Sequence, residues 1–291
     1  MNNISFAFFG TGPLAESVLA SLVRAGYIPK LLVTKPDSKQ GRHMELIAPH
    51  IKTWCEMKNI PVLQPIKLDS EFSNSLRPNV YDLFIVASYG KIIPEEILNL
   101  AKHGTLNVHP SLLPKYRGPS PIESALLDGE KEVGISIMKL DKEMDHGPIL
   151  AQTKFLIDKE ATAGTLKVTC GQLGGELLTQ IIPHFIDGTL IPKEQDHSKA
   201  TFCKIIGKEL GEIKLEDNAL IVRNKFRALS PWPLLYFFIK HNERNLRVKI
   251  TKIDLVSEIE NNDTSEKIIL SVIPEGKKEI NFESFKRGYI N

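Results

Sequence analysis

The chain has 291 residues, of which 42% are hydrophobic and 25% charged, as is usual for soluble globular proteins. Lys and Arg (37) exceed Asp and Glu (35) by only two, which excludes the strong basic field of a chain dedicated to nucleic acid. The three cysteines are too few and too scattered for a disulfide framework, so we expect a reducing, cytoplasmic environment. We find no secretory signal and no run of about 18 apolar residues, and therefore expect no membrane partner.

Apolar runs of strand length alternate with amphipathic segments through the first two thirds of the chain. This alternation is typical of βαβ units and predicts an α/β fold with a mostly parallel sheet. The polar segment 34–49 is interpreted as turn-forming. The predicted strands are 4–9, 31–33, a short one near Val62, 82–87, 105–108 and 135–138, and the predicted helices are 13–24, 51–58 and 162–186.

The sequence changes in character after a polar segment that contains Pro192. We interpret residues 191–205 as a linker between a domain over 1–190 and a second domain over 206–291. Short apolar segments predict that the second domain is rich in β-structure. The predicted strand segments are 219–222, 234–239, 247–253 and 267–272.

Three weak motifs are considered before the main one. Gly10 and Gly12 follow the first predicted strand, but position 15 is Ala where a dinucleotide-binding motif has Gly, so a nicotinamide-dependent dehydrogenase stays only an alternative. Ser111 does not lie in the Gly-x-Ser-x-Gly motif of serine hydrolases. The eight histidines lack the spacing of zinc ligands, and no metal is expected.

The most informative segment begins with Asn107 and His109 at the end of a predicted strand. Residues two apart on a strand point to the same side, and the carboxyl ends of parallel strands are where ligands bind. The loop that follows holds four prolines, so it can hold a ligand at little entropic cost. These prolines are at positions 110, 114, 119 and 121.

Asp145 lies between two predicted strands and could fold back toward His109. An amide, an imidazole and a carboxylate together suit acyl transfer to an amine. The first two stabilise the oxyanion of a tetrahedral intermediate, and the carboxylate takes up the proton of the amine. Taken separately, Asn-x-His is more often a turn cap and Asp-x-Gly a tight turn, so the hypothesis depends on their combination.

At these residues the sequence resembles the folate-dependent formyltransferases, whose mark is Asn-x-His-x-Ser-Leu-Leu-Pro followed by Asp-x-Gly. The resemblance implies a Rossmann-like catalytic domain over 1–190, with 10-formyltetrahydrofolate as co-substrate and no metal. It also implies that Asn107, His109 and Asp145 are catalytic. The residues it places around the folate are Ser111, Leu112, Leu113, Pro114, Tyr89, Gly90 and Gly147.

Within this family, the sequence is most similar to members that formylate the methionine carried by initiator tRNA. The segment 34–42 resembles a loop that enters the acceptor-stem region, and 227–233 resembles an Arg-Ala-x-x-Pro-Trp-Pro signature. By this resemblance, 206–291 is a β-barrel (OB-like) tRNA-binding domain, and the partners are the tRNA and the folate, with a monomeric chain expected. The residues expected to bind tRNA are Lys35, Lys39, Arg42, Arg223 and Arg227.

Several alternatives stay open at this point. A sugar-nucleotide N-formyltransferase shares the Asn-x-His core but generally lacks the basic loop 35–42. A glycinamide ribonucleotide formyltransferase usually ends near the linker. A non-catalytic RNA-binding protein would bind RNA without transferring a formyl group. The segment 211–215 departs from the family pattern, and the basic loop could be only a solvated surface.

Overall fold

The computed structural model describes residues 4–40, 44–241, 243–260 and 262–290. The chain divides into two compact units, each built from several segments. Unit 1 consists of Met1–Pro119, Val133–Phe155 and Lys167–Cys203, and unit 2 of Ser120–Glu132, Leu156–Leu166 and Lys204–Asn291. The predicted domain bounds remain predictions, but residues 191–203 of the predicted linker belong to unit 1 in this division.

Strands and helices alternate through unit 1, as predicted. The strands of the described residues are β1 (Phe6–Gly10), β2 (Leu31–Val33), β3 (Ser38–Gln40), β4 (Glu45–Ile47), β5 (Val62–Leu63), β6 (Leu83–Ala87), β7 (Thr105–His109), β8 (Glu132–Lys139), β9 (Ile149–Leu156), β10 (Leu235–His241), β11 (Arg244–Ile253), β12 (Ile269–Pro274) and β13 (Ile280–Asn281). The helices are α1 (Pro13–Arg24), α2 (His50–Glu56), α3 (Ser70–Leu76), α4 (Glu95–Leu98), α5 (Pro121–Leu127), α6 (Ala163–Ile186), α7 (Ala219–Leu229), α8 (Ser265–Ile268) and α9 (Phe282–Tyr289).

The central sheet of unit 1 has the strand order β5-β2-β1-β6-β7-β8-β9. Strands β5, β2, β1, β6 and β7 run parallel, and β8 pairs antiparallel with β7. Strands β1, β6 and β7 are buried along their whole length, which explains their nearly continuous apolar sequences. The prediction of a mostly parallel sheet is confirmed, and β7 ends inside unit 1 at His109.

Helix α6 packs closely on α1 through two glycines. A side chain on Gly171 would collide with the backbone of Leu14, and one on Gly175 with the side chain of Ser21. The four-residue spacing puts both glycines on one face of α6, so the two helices can approach more closely than larger residues would allow.

The segment 34–49 contains more structure than the sequence analysis predicted. Strands β3 and β4 pair antiparallel, with Ser38 opposite Ile47. Polar residues with little apolar alternation gave no strand signal in this segment. The hairpin carries exposed Lys39, and Arg42 lies outside the described residues.

Unit 2 contains a four-stranded antiparallel sheet in the order β10-β11-β12-β13, which confirms a β-rich C-terminal region. The predicted strand at 219–222 is wrong, because these residues begin helix α7. The side chain of Asn218 caps this helix by accepting from the backbone N–H groups of Leu220 and Ile221. Among the helices that the structure describes, none combines the length and apolar character that crossing a membrane requires.

Candidate active site

The carboxyl end of β7 carries the two polar side chains singled out in the sequence. Asn107 and His109 are 9% and 4% exposed, and Asp145, in the loop between β8 and β9, is 9% exposed. Buried polar groups require partners, because an unpaired one costs about 1–3 kcal/mol. All three residues lie in unit 1, so the sheet that fixes β7 also positions the site.

The Asp145 carboxylate is where these side chains meet. Its Oδ1 lies 3.5 Å from Nδ1 of His109 and accepts from Nδ2 of Asn107 at 3.4 Å. Its Oδ2 accepts from the backbone N–H of Gly118 at 2.7 Å. Oδ2 is therefore held by the backbone, while Oδ1 faces the amide and the imidazole.

The other ring nitrogen of His109 fixes the orientation of the imidazole. Nε2 lies 2.9 Å from the carbonyl oxygen of Tyr116. A carbonyl only accepts hydrogen bonds, so Nε2 carries the hydrogen. The neutral ring therefore presents its Nδ1 lone pair toward Asp145, and Nδ1 is the atom that can take up or release a proton.

The predicted folate loop 111–114 is held by buried hydroxyls. Oγ of Ser111 donates to the carbonyl of Lys115 at 2.6 Å. Oγ of Ser136, on β8, donates to the carbonyl of Ser111 and accepts from the N–H of Leu113. These bonds fix the backbone from Ser111 to Pro114, with Leu112 and Leu113 packed between them, so the loop is preorganised.

Gly147 follows the catalytic candidate Asp145 by two residues. A side chain at position 147 would collide with the carbonyl oxygen of Lys139. The turn therefore approaches the end of β8 more closely than any residue with a Cβ would allow. Asp145 itself has a φ of 49°, in the left-handed region.

Tyr89 and Gly90 lie after β6, which is adjacent to β7 in the sheet. Tyr89 is 1% exposed and packs edge-on against Phe9, and burial raises the pKa of its hydroxyl to about 12. No described residue gives this hydroxyl a hydrogen-bond partner. Only the backbone of Tyr89 is thus available to border a ligand. Gly90 lies beside Lys35, since a Cβ on Gly90 would be 2.7 Å from the Lys35 ammonium nitrogen.

The predicted tRNA-binding arginines of α7 bind backbone carbonyls within unit 2. Arg223 donates to Ser257, and Arg227 donates to Ala161 and Asp158. Burial lowers the pKa of both guanidinium groups. Both side chains therefore tie segments of unit 2 together, a role that the sequence analysis did not assign to them.

The sequence analysis also missed Arg117 and Gln195, which are buried beside the site. Nη2 of Arg117 donates to Oε1 of Gln195 at 2.6 Å. The two residues are 78 positions apart, and Gln195 lies in the predicted linker, so no local pattern could have connected them. Within the described ranges, no three His, Cys, Asp or Glu side chains are grouped so that they could hold a metal ion.

Comparisons with known proteins define the class. Residues 2–182 match the formyl transferase family, and residues 205–269 match the formyl transferase C-terminal domain. The chain therefore belongs to the formyl transferase family.

Curated relatives are named methionyl-tRNA formyltransferase. One from Lactobacillus acidophilus is 36% identical, over 98% of this chain and 95% of its own length. One from Dictyoglomus thermophilum is 37% identical, over 97% and 96%, and one from Caldanaerobacter subterraneus subsp. tengcongensis is 41% identical, over 79% and 75%. These relatives extend across both matched regions.

Solved structures of sugar-modifying enzymes share the fold at lower identity. A 4-N formyltransferase from Francisella tularensis has a TM-score of 0.64 and 18% identity, over 88% of this chain and 98% of its own. An N-formyltransferase from Helicobacter canadensis, in complex with folinic acid and dTDP-3-aminofucose, has a TM-score of 0.61 and 18% identity, over 95% and 100%. At these identities the likeness concerns the fold alone.

Proposed function

We propose that the protein transfers the formyl group of 10-formyltetrahydrofolate to the free amino group of methionine esterified to initiator tRNA. The product is N-formylmethionyl-tRNA, which serves translation initiation in the cytoplasm. The observation that carries the proposal is the convergence of Asn107, His109 and Asp145 at one carboxylate oxygen, at the end of β7. The curated relatives, matched over nearly their whole length, support the choice of acceptor.

The reaction forms a bond between the amino nitrogen and the formyl carbon and breaks the bond from that carbon to the folate nitrogen. The amine loses a proton and the folate nitrogen gains one. The donors and acceptors at the site fit these requirements: an amide and an imidazole to hold an oxygen that gains charge, and a carboxylate to take up a proton. The co-substrate supplies only the activated formyl group.

Each residue has a stated part in this proposal. Nδ2 of Asn107 donates to the formyl oxygen as negative charge develops on it. Oδ1 of Asp145 takes the proton of the attacking amine. His109, fixed through Nε2, exchanges protons at Nδ1 and delivers one toward the leaving nitrogen. Ser111 and Gly147, in the rigid segments on either side, border the folate.

For the tRNA, we assign the acceptor stem to the loop that carries Lys35, Lys39 and Arg42. Cations that neutralise phosphates release counterions, so a few contacts give salt-dependent binding. Arg223 and Arg227 are assigned to the tRNA as predicted. The exposed side chains of Lys240, Arg244 and Lys249 lie in the same unit and add positive charge.

Formylation of defined acceptors tests the proposal. The protein is incubated with 10-formyltetrahydrofolate and, in separate reactions, methionyl-initiator tRNA, the deacylated tRNA, free methionine and a nucleotide-linked amino sugar. We expect formyl-methionine to be recovered only from the charged tRNA. Formylation of the amino sugar would favour the sugar N-formyltransferases that share the fold. RNA binding without any formyl transfer would favour a non-catalytic RNA-binding protein.

A further inference from the structure

A buried glutamine holds the turn that carries Asp145. Gln195 is 6% exposed, and its Nε2 donates to the carbonyl oxygen of Asp145 at 2.9 Å and to that of Gly147 at 2.7 Å. Both amide hydrogens are therefore used on a single turn. The turn cannot rotate without breaking at least one of these bonds, and so the Asp145 carboxylate keeps its direction.

The other end of the glutamine amide is held by Arg117, which is 4% exposed. Nε and Nη2 of Arg117 donate to Oε1 of Gln195 at 3.2 and 2.6 Å, and Nη2 also lies 2.8 Å from Nδ1 of His197. A guanidinium only donates, so the oxygen of the Gln195 amide faces Arg117 and its NH₂ faces the turn. Arg117 thereby fixes the orientation in which Gln195 can donate.

The backbone around Arg117 contacts both catalytic candidates. The carbonyl of Tyr116 accepts from His109, and the N–H of Gly118 donates to Asp145. Arg117, between them, pairs with the chain at 201–203: its N–H donates to Thr201 and its carbonyl accepts from Cys203, each at 2.8 Å. The segment 116–118 is therefore anchored by its backbone as well as by the Arg117 side chain.

We propose that Gln195 and Arg117 are positioning residues for formyl transfer. By holding the 145–147 turn and the 116–118 segment in one arrangement, they keep Oδ1 of Asp145 within reach of Nδ1 of His109. Neither residue acts on the substrates themselves. This inference rests on the proposed function, since formyl transfer is the reaction it describes.

Gln195→Glu tests the proposal with little change in volume. The carboxylate keeps an acceptor for Arg117, so a buried ion pair replaces a neutral contact. It loses the two donated hydrogen bonds and turns a negative oxygen toward the carbonyls of Asp145 and Gly147. We expect kcat to fall about 100-fold, the scale of a displacement of about 1 Å at a reacting group. The KM values for both substrates should change little, and the pH profile of kcat should shift because the displaced carboxylate has a new environment.

Two further variants complete the experiment. Gln180→Glu makes the same chemical change at an exposed position of α6 and should keep the kinetics and pH profile of the unaltered protein. Gln195→Ala removes the amide without adding charge and should reproduce the fall in kcat, with the folded fraction measured by circular dichroism.

Two results would overturn the positioning role. One is unchanged kcat and an unchanged pH profile in Gln195→Glu. The other is activity lost only in proportion to folded protein in both Gln195 variants, which would make the glutamine purely structural. A lack of formyl transfer by the unaltered protein would instead contradict the proposed function.

Discussion

The imidazole of His109 donates from Nε2 to the carbonyl oxygen of Tyr116 at 2.9 Å, which leaves Nδ1 as its proton-exchanging atom. Nδ1 lies 3.5 Å from Oδ1 of Asp145. The backbone thus selects the tautomer of the ring, and the carboxylate faces the nitrogen that remains. Chemistry at this site depends on the charge of Asp145 as well as on its position.

Asp145→Asn should separate charge from shape. An amide oxygen can still accept from the N–H of Gly118, so the fold of the turn should survive, but the group can no longer take up the proton of an amine. We expect turnover to fall by at least about 100-fold while folate binding is retained. Steady-state kinetics and folate binding by fluorescence measure the two effects.

His109→Ala should show a loss of similar size, since it removes the ring that exchanges the proton. His50→Ala is the matched control, because His50 is an exposed histidine paired with Glu16. A near-normal rate for either catalytic variant at saturating substrate would exclude the proposed mechanism.

Lys39→Ala and Arg42→Ala should weaken the use of charged tRNA without changing folate affinity. Lys39 is exposed on β3, and removal of one phosphate contact should lower the slope of log affinity against log salt by about one. The KM for tRNA, measured across salt concentrations, gives this slope. Lys102→Ala, at another exposed position of unit 1, should leave it unchanged. Equal effects on folate and tRNA, or none, would contradict the assignment of the loop.

Gly147→Ala should destabilise the protein and reduce its activity. The added methyl group would meet the carbonyl oxygen of Lys139, and such overpacking costs about 1–3 kcal/mol. The turn that carries Asp145 would also move. Thermal unfolding and turnover are the two measurements.

Gly288→Ala provides the control for this change. A Cβ on Gly288 meets nothing within 4 Å, and alanine favours the helical state of α9 by about 1 kcal/mol over glycine. We expect its melting temperature to be equal or higher and its activity unchanged. A stable, fully active Gly147→Ala variant would mean that the turn has room for a side chain.

The cysteines should react with a thiol reagent in a defined order. Cys55 and Cys170 are buried, and burial raises the pKa of each thiol to about 12. The thiolate is the reactive form, so both stay protonated and unreactive until the pH approaches that value. Cys203 is partly exposed and should react first. Titration with Ellman's reagent should detect one thiol in the native protein and three after denaturation. A Cys203→Ser variant that still shows one fast thiol would contradict this order.

The sequence was sufficient where local pattern and tertiary role agree. Helix α1 has its predicted bounds because Pro13 begins it and Gly26 follows its end, and its apolar spacing matches one buried face. Strand β6 was predicted because strands buried on both faces are continuously apolar. The parallel sheet then made it possible to expect that Asn107 and His109 share one side.

The sequence failed where β-branched residues occur in a helix. Ile221 and Val222 suggested a strand at the start of α7, although Asn218 was available as a cap and the buried residues Val222, Phe226 and Leu229 follow helical spacing. The partnership of Arg117 with Gln195 could not be predicted either. It exists only because the chain returns to the site after α6, and neither residue has a local signature of that return.

The return of residues 195–203 to the 116–118 and 145–147 segments sets a limit for protein engineering. A fragment that ends at position 190, or a chimera joined there, would discard Gln195 along with the backbone of Thr201 and Cys203. Exchange of the tRNA-contacting region between relatives should therefore place its junction after position 203.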